Sequence, residues 1–242
     1  MSDGGRAPRR ILHTSDLHLE STGDVACHSL ETVVDIANQT KADLVIIAGD
    51  LFDHNRVDDN LVSFTVEQLR RLQMNTVVLP GNHDYLAPSS VFEKADLWRS
   101  APNIRIFKEL EGETFSFPEL GVAVWGKPFT FYQGFDSRPL EGAPQPERDG
   151  QWYVAVIHGY YVHHAPPASV SFHIPPKEVV TSGWDYIALG HLITFGCVCN
   201  EPVKAYYCGS PSVSGTVAVV DLAEDGVQVT RYSLWDKEGD MV

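Results

Sequence analysis

Leu44-Val45-Ile46-Ile47-Ala48-Gly49-Asp50-Leu51-Phe52-Asp53 is the stretch on which the fold turns. Its first five residues are apolar without alternation, the pattern of a strand covered on both faces in a parallel sheet. The run stops at a glycine and then delivers two carboxylates. The same event occurs on either side. Residues 10–14, Arg-Ile-Leu-His-Thr, stop at Ser15-Asp16-Leu17-His18, and residues 76–79 stop at Pro80-Gly81-Asn82-His83-Asp84. Between the first two runs, residues 25–38 carry Val25, Leu30, Val33, Val34 and Ala37 as the apolar positions of a helix. Before the third, Asp58 or Asp59 is placed to cap a second helix with Leu61, Phe64, Leu69 and Leu72 on its buried stripe. Strand, helix, strand, helix, strand with short connections implies parallel pairing through right-handed crossovers.

Beyond residue 102 the pattern changes to short strands, at 104–107, 114–117, 122–125 and 153–157, then 186–189, 195–199, 203–208, 217–221 and 227–232. The Pro/Gly-rich stretch 126–150 reads as a long surface loop. There is no internal repeat, low-complexity tract or composition break. The chain therefore reads as α/β, a single domain over residues 1–242 built on two sheets.

Of the 242 residues, 43% are hydrophobic and 21% charged, which excludes a disordered chain. No run approaches the ~18 apolar residues of a membrane span. Residues 1–10 carry arginines with no apolar segment behind them, so no secretory signal is expected and the location is read as cytoplasmic. Lys and Arg number 18 against 32 Asp and Glu, a net charge of −14. That opposes a wide basic groove tracking nucleic acid, but permits a narrow site whose positive charge comes from bound metal. Cys27, Cys197, Cys199 and Cys208 are too few for a disulfide framework. The last three lack the paired gaps of a zinc site and are expected to be small buried strand residues.

Five strand ends bear polar residues: Asp16 and His18, Asp50, Asn82-His83-Asp84, His158 before Gly159, and His191 after Gly190. Singly, each has an ordinary alternative: a helix cap, a satisfied core histidine or a turn. In order, each at a strand end, they describe one metal site at the carboxyl rim of an α/β sheet. The mixture of carboxylate, amide and imidazole suits manganese, iron, zinc or cobalt better than calcium or copper.

The ordered set Asp16-x-His18, Gly49-Asp50, Gly81-Asn82-His83-Asp84, His158 and Gly190-His191 resembles the calcineurin-like metallophosphoesterase family. The longer motifs His13-Thr14-Ser15-Asp16-Leu17-His18, Ala48-Gly49-Asp50-Leu51-Phe52-Asp53, Asp185-Tyr186-Ile187-Ala188-Leu189-Gly190-His191 and Tyr207-Cys208-Gly209-Ser210-Pro211 resemble its SbcD branch of double-strand-break repair nucleases. The likeness covers residues 10–214. It implies two facing mixed β-sheets flanked by helices, a four-layer αββα fold with two divalent metal ions, manganese foremost. By that resemblance Asp16 and His18 hold the first ion, Asp50 bridges both, and Asn82, His158 and His191 complete the second. A metal-bound hydroxide would attack phosphorus in line. His83 would protonate the leaving oxygen, oriented by Asp84. The implied substrate is a DNA or nucleotide phosphodiester, the implied partner an SbcC-type ATPase, and the implied assembly a homodimer.

Two departures qualify this. The family's last motif is Gly-His-x-His, whereas Gly190-His191-Leu192-Ile193 ends on a side chain that cannot ligate, leaving the first site weak or empty. An introduced substitution, a native three-ligand site, and lost chemistry on a retained fold are the alternatives. His163, His164 and His173 are candidate replacements whose simpler reading is solvent exposure. His54 is placed either near substrate phosphate or on the surface. The chain also ends at Val242 with no separate DNA-capping or ATPase-docking domain expected. A small-molecule phosphodiesterase or phosphatase, or a catalytically impaired scaffold, are therefore the alternatives to a nuclease. Phe129, Phe131, Tyr132, Tyr160 and Tyr161 are candidate base-stacking rings or, more simply, loop anchors.

Overall fold

The computed structural model describes residues 5–132, 137–147, 149–162 and 172–235. The first half runs β1 (Arg9–Thr14), α1 (Val25–Gln39), β2 (Leu44–Ala48), α2 (Asp59–Arg70) and β3 (Asn75–Leu79). A 3-10 turn at Val91–Glu93, the short α3 (Ala95–Trp98) and β4 (Ile104–Ile106) follow. Then come β5 (Glu113–Phe117), β6 (Val122–Gly126), β7 (Trp152–His158), the two-residue strands β8 (Tyr160–Tyr161) and β9 (His173–Ile174), and α4 (Pro176–Val180). The chain continues through β10 (Tyr186–Gly190), β11 (Phe195–Cys199), β12 (Lys204–Cys208), β13 (Thr216–Ala223) and β14 (Gly226–Ser233).

Two six-stranded mixed sheets result. The first has the order β14-β13-β1-β2-β3-β4 and the second β11-β12-β10-β7-β6-β5. β1 to β4 are parallel, as are β12, β10, β7 and β6, while hairpin-type pairings close the outer edges. The pleat explains why the 44–48 run has no polar face. Leu44, Ile46 and Ala48 enter the core between the sheets, where they meet Val154, Val156, Tyr186 and Ala188 of the second. Val45 and Ile47 point the other way, into the layer filled by α1 and α2. The outer face of the second sheet has a thinner cover, with Ile157, Ile187 and Leu189 packed under Trp184, Leu140 and Val179 of α4.

Asp24 caps α1 through the Cys27 amide and Asp58 caps α2 through the Leu61 amide. Three sequence expectations are corrected. Val25 is 69% exposed, because five residues at about 100° each carry it to the far side of α1 from Leu30. Cys197 is exposed on β11, whereas Cys27, Cys199 and Cys208 are buried thiols. The 126–150 stretch is free of helix and strand beyond Gly126 among its described residues, but it is not all surface: Phe129 and Leu140 are buried. No helix among the described residues is long and apolar enough to cross a membrane.

Candidate metal centre

The carboxyl ends of β1, β2, β3, β7 and β10 meet at one rim of the sandwich. Backbone bonds zip the loops after β1 and β2 together, Asp16 N–H to Gly49 C=O at 3.0 Å and His18 N–H to Asp50 C=O at 3.1 Å. Asp16, His18, Asp50 and His191 have φ of 54°, 52°, 52° and 99°, four of the six described non-glycine residues with positive φ. Such conformations cost about 1–3 kcal/mol each and persist only where the surroundings over-determine them. Here the constraint comes from the opposite sheet. Ser210, after β12, donates its hydroxyl to the Asp16 carbonyl at 2.6 Å, and Ser212 donates to that of Leu17 at 3.0 Å. Two glycines admit the side chains. A Cβ on Gly49 would lie 2.1 Å from His158 Nδ1, and one on Gly81 would lie 2.2 Å from Asp50 Oδ1.

Four potential ligand atoms converge on one side. His158 Nε2 lies 3.1 Å from Asp50 Oδ2 and 3.0 Å from Asn82 Oδ1. His191 Nδ1 is 3.1 Å from the same Asn82 oxygen and 3.3 Å from His158 Nε2. The His158 Nδ1–H donates to the Ala48 carbonyl at 2.8 Å, which aims Nε2 into the cluster. On the other side His18 Nε2 stands 3.9 Å from Asp16 Oδ1 and 3.8 Å from Asp50 Oδ2. The Asp50 carboxylate is common to both groups, and its Oδ1 accepts the His83 amide at 2.9 Å. The Asp16 carboxylate accepts the His191 amide at 3.0 Å.

Electrostatics test whether these residues fit metal ions. Asp16 and Asp50 are almost wholly buried, and their ion-pair partners among the described residues are histidines. Burial pushes the Asp16 carboxyl up. Burial also works against an ionised Asp50, but the His158 imidazole overcomes it and holds that carboxyl below the usual range. Burial disfavours charge on His158, yet Asp50 carries its pKa up to about 9. His191, buried beside His158, falls to about 4. A proton on His158 thus serves as the cation that two buried carboxylates demand. The donor set fits divalent metal in its place.

The structure brings Asp16, His18, Asp50, Asn82, His83, His158 and His191 to this rim. Asp84 lies directly beneath, and its part differs from the expected one. Its buried carboxyl accepts the amides of Gly81 at 2.7 Å and Phe52 at 3.1 Å, bracing the turn under Asn82. Burial and then Asp50 raise its pKa to about 7. The partner of His83 is Asp53, whose carbonyl lies 2.9 Å from His83 Nδ1. The Asp53 carboxylate lies 3.0 Å from His18 Nδ1. Sequence reasoning passed over this residue, although its place three positions after Asp50 at a strand end was the available signal. Ile193 is 45% exposed, and its carbonyl accepts the Ser210 amide. His163 and His164 lie outside the described residues. His54 and His173 join none of the groups of converging His, Asp, Glu and Cys among the described residues, and neither does any described cysteine.

A family model described as calcineurin-like phosphoesterase matches residues 9–195. The chain is 25% identical to the DNA double-strand break repair protein Mre11 of Methanopyrus kandleri, over 76% of this chain and 44% of that one. It is 27% identical to the SbcD component of the nuclease SbcCD of Escherichia coli K12, over 83% of this chain and 50% of that one. Identity to the uncharacterized metallophosphoesterase YhaO of Bacillus subtilis is 25%, over 75% and 48% respectively. The chain spans about half the length of these curated relatives. Its fold is shared with TT1561 of Thermus thermophilus, at a TM-score of 0.63, 17% identity and coverage of 94% of this chain and 100% of that one. It is also shared with a dimetal phosphatase from Danio rerio, at a TM-score of 0.62, 12% identity and coverage of 94% and 97%. Because the family match begins with β1 and runs past β10, taking in every loop that bears a candidate ligand, the chain belongs to the calcineurin-like phosphoesterase family.

Proposed function

We propose that the chain is a phosphodiester hydrolase of the nuclease branch, acting on single-stranded DNA or DNA ends. The observation that carries this reading is the shared Asp50 carboxylate with converging imidazole and amide atoms on one side and Asp16 with His18 on the other. Asp16, His18 and Asp50 would hold one divalent ion, and Asp50, Asn82, His158 and His191 a second, manganese being the first candidate. Bound there, the ions supply Lewis-acid charge for the phosphoryl oxygens and lower the pKa of the attacking water. The protein supplies the rest. His83, with Nδ1–H donated to the Asp53 carbonyl, has Nε2 left to carry a proton to the leaving oxygen. Asp53 fixes the His18 ring, Ser210 fixes the Asp16 backbone, and Asp84 braces the turn that presents Asn82 and His83.

The printed names of the relatives, a double-strand break repair protein and a component of a two-part nuclease, support DNA as the substrate class and a second protein as partner. A smaller nucleotide substrate is the second reading, favoured by the net charge of −14. Ile193, in place of the expected histidine, makes the first site the weaker one. Manganese-dependent hydrolysis of a chromogenic phosphodiester tests both points. The chain is expected to turn over, and Ile193→His to lower the manganese concentration for half-maximal rate by at least about tenfold. Silence from both proteins, with folding intact, would sink the hydrolase reading.

A further inference from the structure

Beside the candidate metal centre stands a row of aromatic rings to which the hydrolytic chemistry gives no task. Phe129 is buried, packs edge-on to His158 at 5.8 Å between ring centroids, and stacks on Phe172 at 4.0 Å and 22°. Phe172 continues the row to Phe131 at 6.1 Å and 17°, and also meets His191 at 6.3 Å. The next residue, Tyr132, sets its ring 5.1 Å from that of His83. The row is well anchored at its inner end. The Phe129 carbonyl accepts the Leu86 amide, and the Phe172 carbonyl accepts the Tyr160 amide at 2.8 Å. Phe172 also has φ of +54°, a conformation bulky residues avoid and hold only where the surroundings compel it. At its outer end the row stops on open rings, for Phe131 is 43% and Tyr132 50% exposed.

We propose that Phe131 and Tyr132 form a stacking platform for the planar base of an unpaired nucleotide, held while its phosphate occupies the metal centre. The proposal rests on the phosphoesterase reading above and adds what selects the substrate. Two near-parallel buried rings give Phe131 a fixed plane, so a base stacking on its free face continues an existing row and orders little that is not already ordered. Tyr132 borders His83, the residue that faces the leaving oxygen, so a base held there lies within one nucleotide of the reacting phosphate. Stacking needs no positive charge, which suits a chain of net charge −14 that is poorly equipped to track a duplex by its phosphates. A paired base has both faces covered by its neighbours and would have to leave the helix first. The platform therefore favours single strands, frayed ends and free nucleotides.

The test is fluorescence titration of the manganese-loaded protein with 2-aminopurine deoxyribonucleoside 5′-monophosphate, whose emission falls on stacking. Deoxyribose 5-phosphate and inorganic phosphate serve as base-free competitors. The nucleotide is expected to be quenched and to bind roughly tenfold tighter than deoxyribose 5-phosphate. Phe131→Leu and Tyr132→Leu, which keep apolar area but lose the ring, should abolish most of that preference, whereas Tyr132→Phe should retain it. Both side chains are exposed, so the fold is not at stake. Deoxyribose 5-phosphate competing as well as the nucleotide, or the leucine variants keeping quench and preference, would overturn the platform and leave the phosphoesterase reading standing. If neither inorganic phosphate nor any phosphate ester bound, both would fall.

Discussion

Asp53 serves two histidines with two different atoms. Its carboxylate holds His18 Nδ1, while its backbone carbonyl holds His83 Nδ1. A side-chain substitution therefore separates functions that share one residue. Asp53→Ala removes the partner that aims His18 Nε2 at Asp16 and Asp50 but leaves the His83 contact in the main chain. Manganese affinity measured by calorimetry is expected to fall about 10–100-fold at the weaker site, while kcat at saturating manganese changes little. Equal losses in both would place Asp53 in the proton transfer as well. His13 allows a different experiment. It lies fully buried between the sheets, Nδ1 2.9 Å from the Tyr186 hydroxyl, and burial lowers its pKa to about 3. The unfolded chain takes up this proton near pH 6.5 and the folded chain only near 3. Its contribution is thus fully present above about pH 6.5 and drains away as pH falls toward 3. Asp84, raised to about 7, acts in the opposite sense between its ordinary range and pH 7, so the total slope is a difference. Comparing the native chain with His13→Gln cancels Asp84. The variant's melting temperature should fall less between pH 7 and pH 5 than the native one does.

Among the elements, the turn after β12 matters more than its length suggests. Through Ser210 and Ser212 it holds the Asp16–Leu17 backbone from the opposite sheet. Ser210→Ala leaves the buried Asp16 carbonyl without that donor, a loss of about 1–3 kcal/mol. A lower melting temperature and weaker manganese binding at the Asp16 side are expected together, and thermal unfolding with calorimetry reads both. A change in stability alone would mean that the turn merely packs. This turn also marks how far the sequence could be read. The strands and the two long helices announce themselves through local periodicity and caps, and every candidate ligand sits where a strand run stops. Pairings between residues far apart in the chain leave no such trace. Ser210 on Asp16 and Phe129 against His158 and Phe172 arise from the topology, so the orienting contacts are legible only in three dimensions. Short elements such as α3, α4 and the β8–β9 pair lack the length for a period to show. Asp84 illustrates a different difficulty. Its neighbour His83 suggested a dyad in sequence, but a carboxylate at the inside of a tight turn finds backbone amides first.

For the molecule as a whole, stability and metal loading are expected to rise together. Ions that bind only the folded chain stabilise it by mass action, about 2.7 kcal/mol at a hundredfold excess over Kd. Manganese should therefore raise the melting temperature and a chelator reverse the gain. Asp50→Asn, which weakens both ligand groups, should blunt the response, and an identical manganese shift in that variant would count against the shared carboxylate. The deeper consequence lies in where the ligands come from. Asp50 and Asn82 belong to the first sheet, His158 and His191 to the second, so an ion held by all four would act as a rivet through the seam of the sandwich. Each sheet brings half a socket, and neither half is worth much alone. Any breathing motion that parts the layers would open the rivet before it disturbed either sheet internally. A metal-starved chain would then be looser at the joint as well as idle, and amide exchange along β2 and β10 would report how firmly the two halves are fastened.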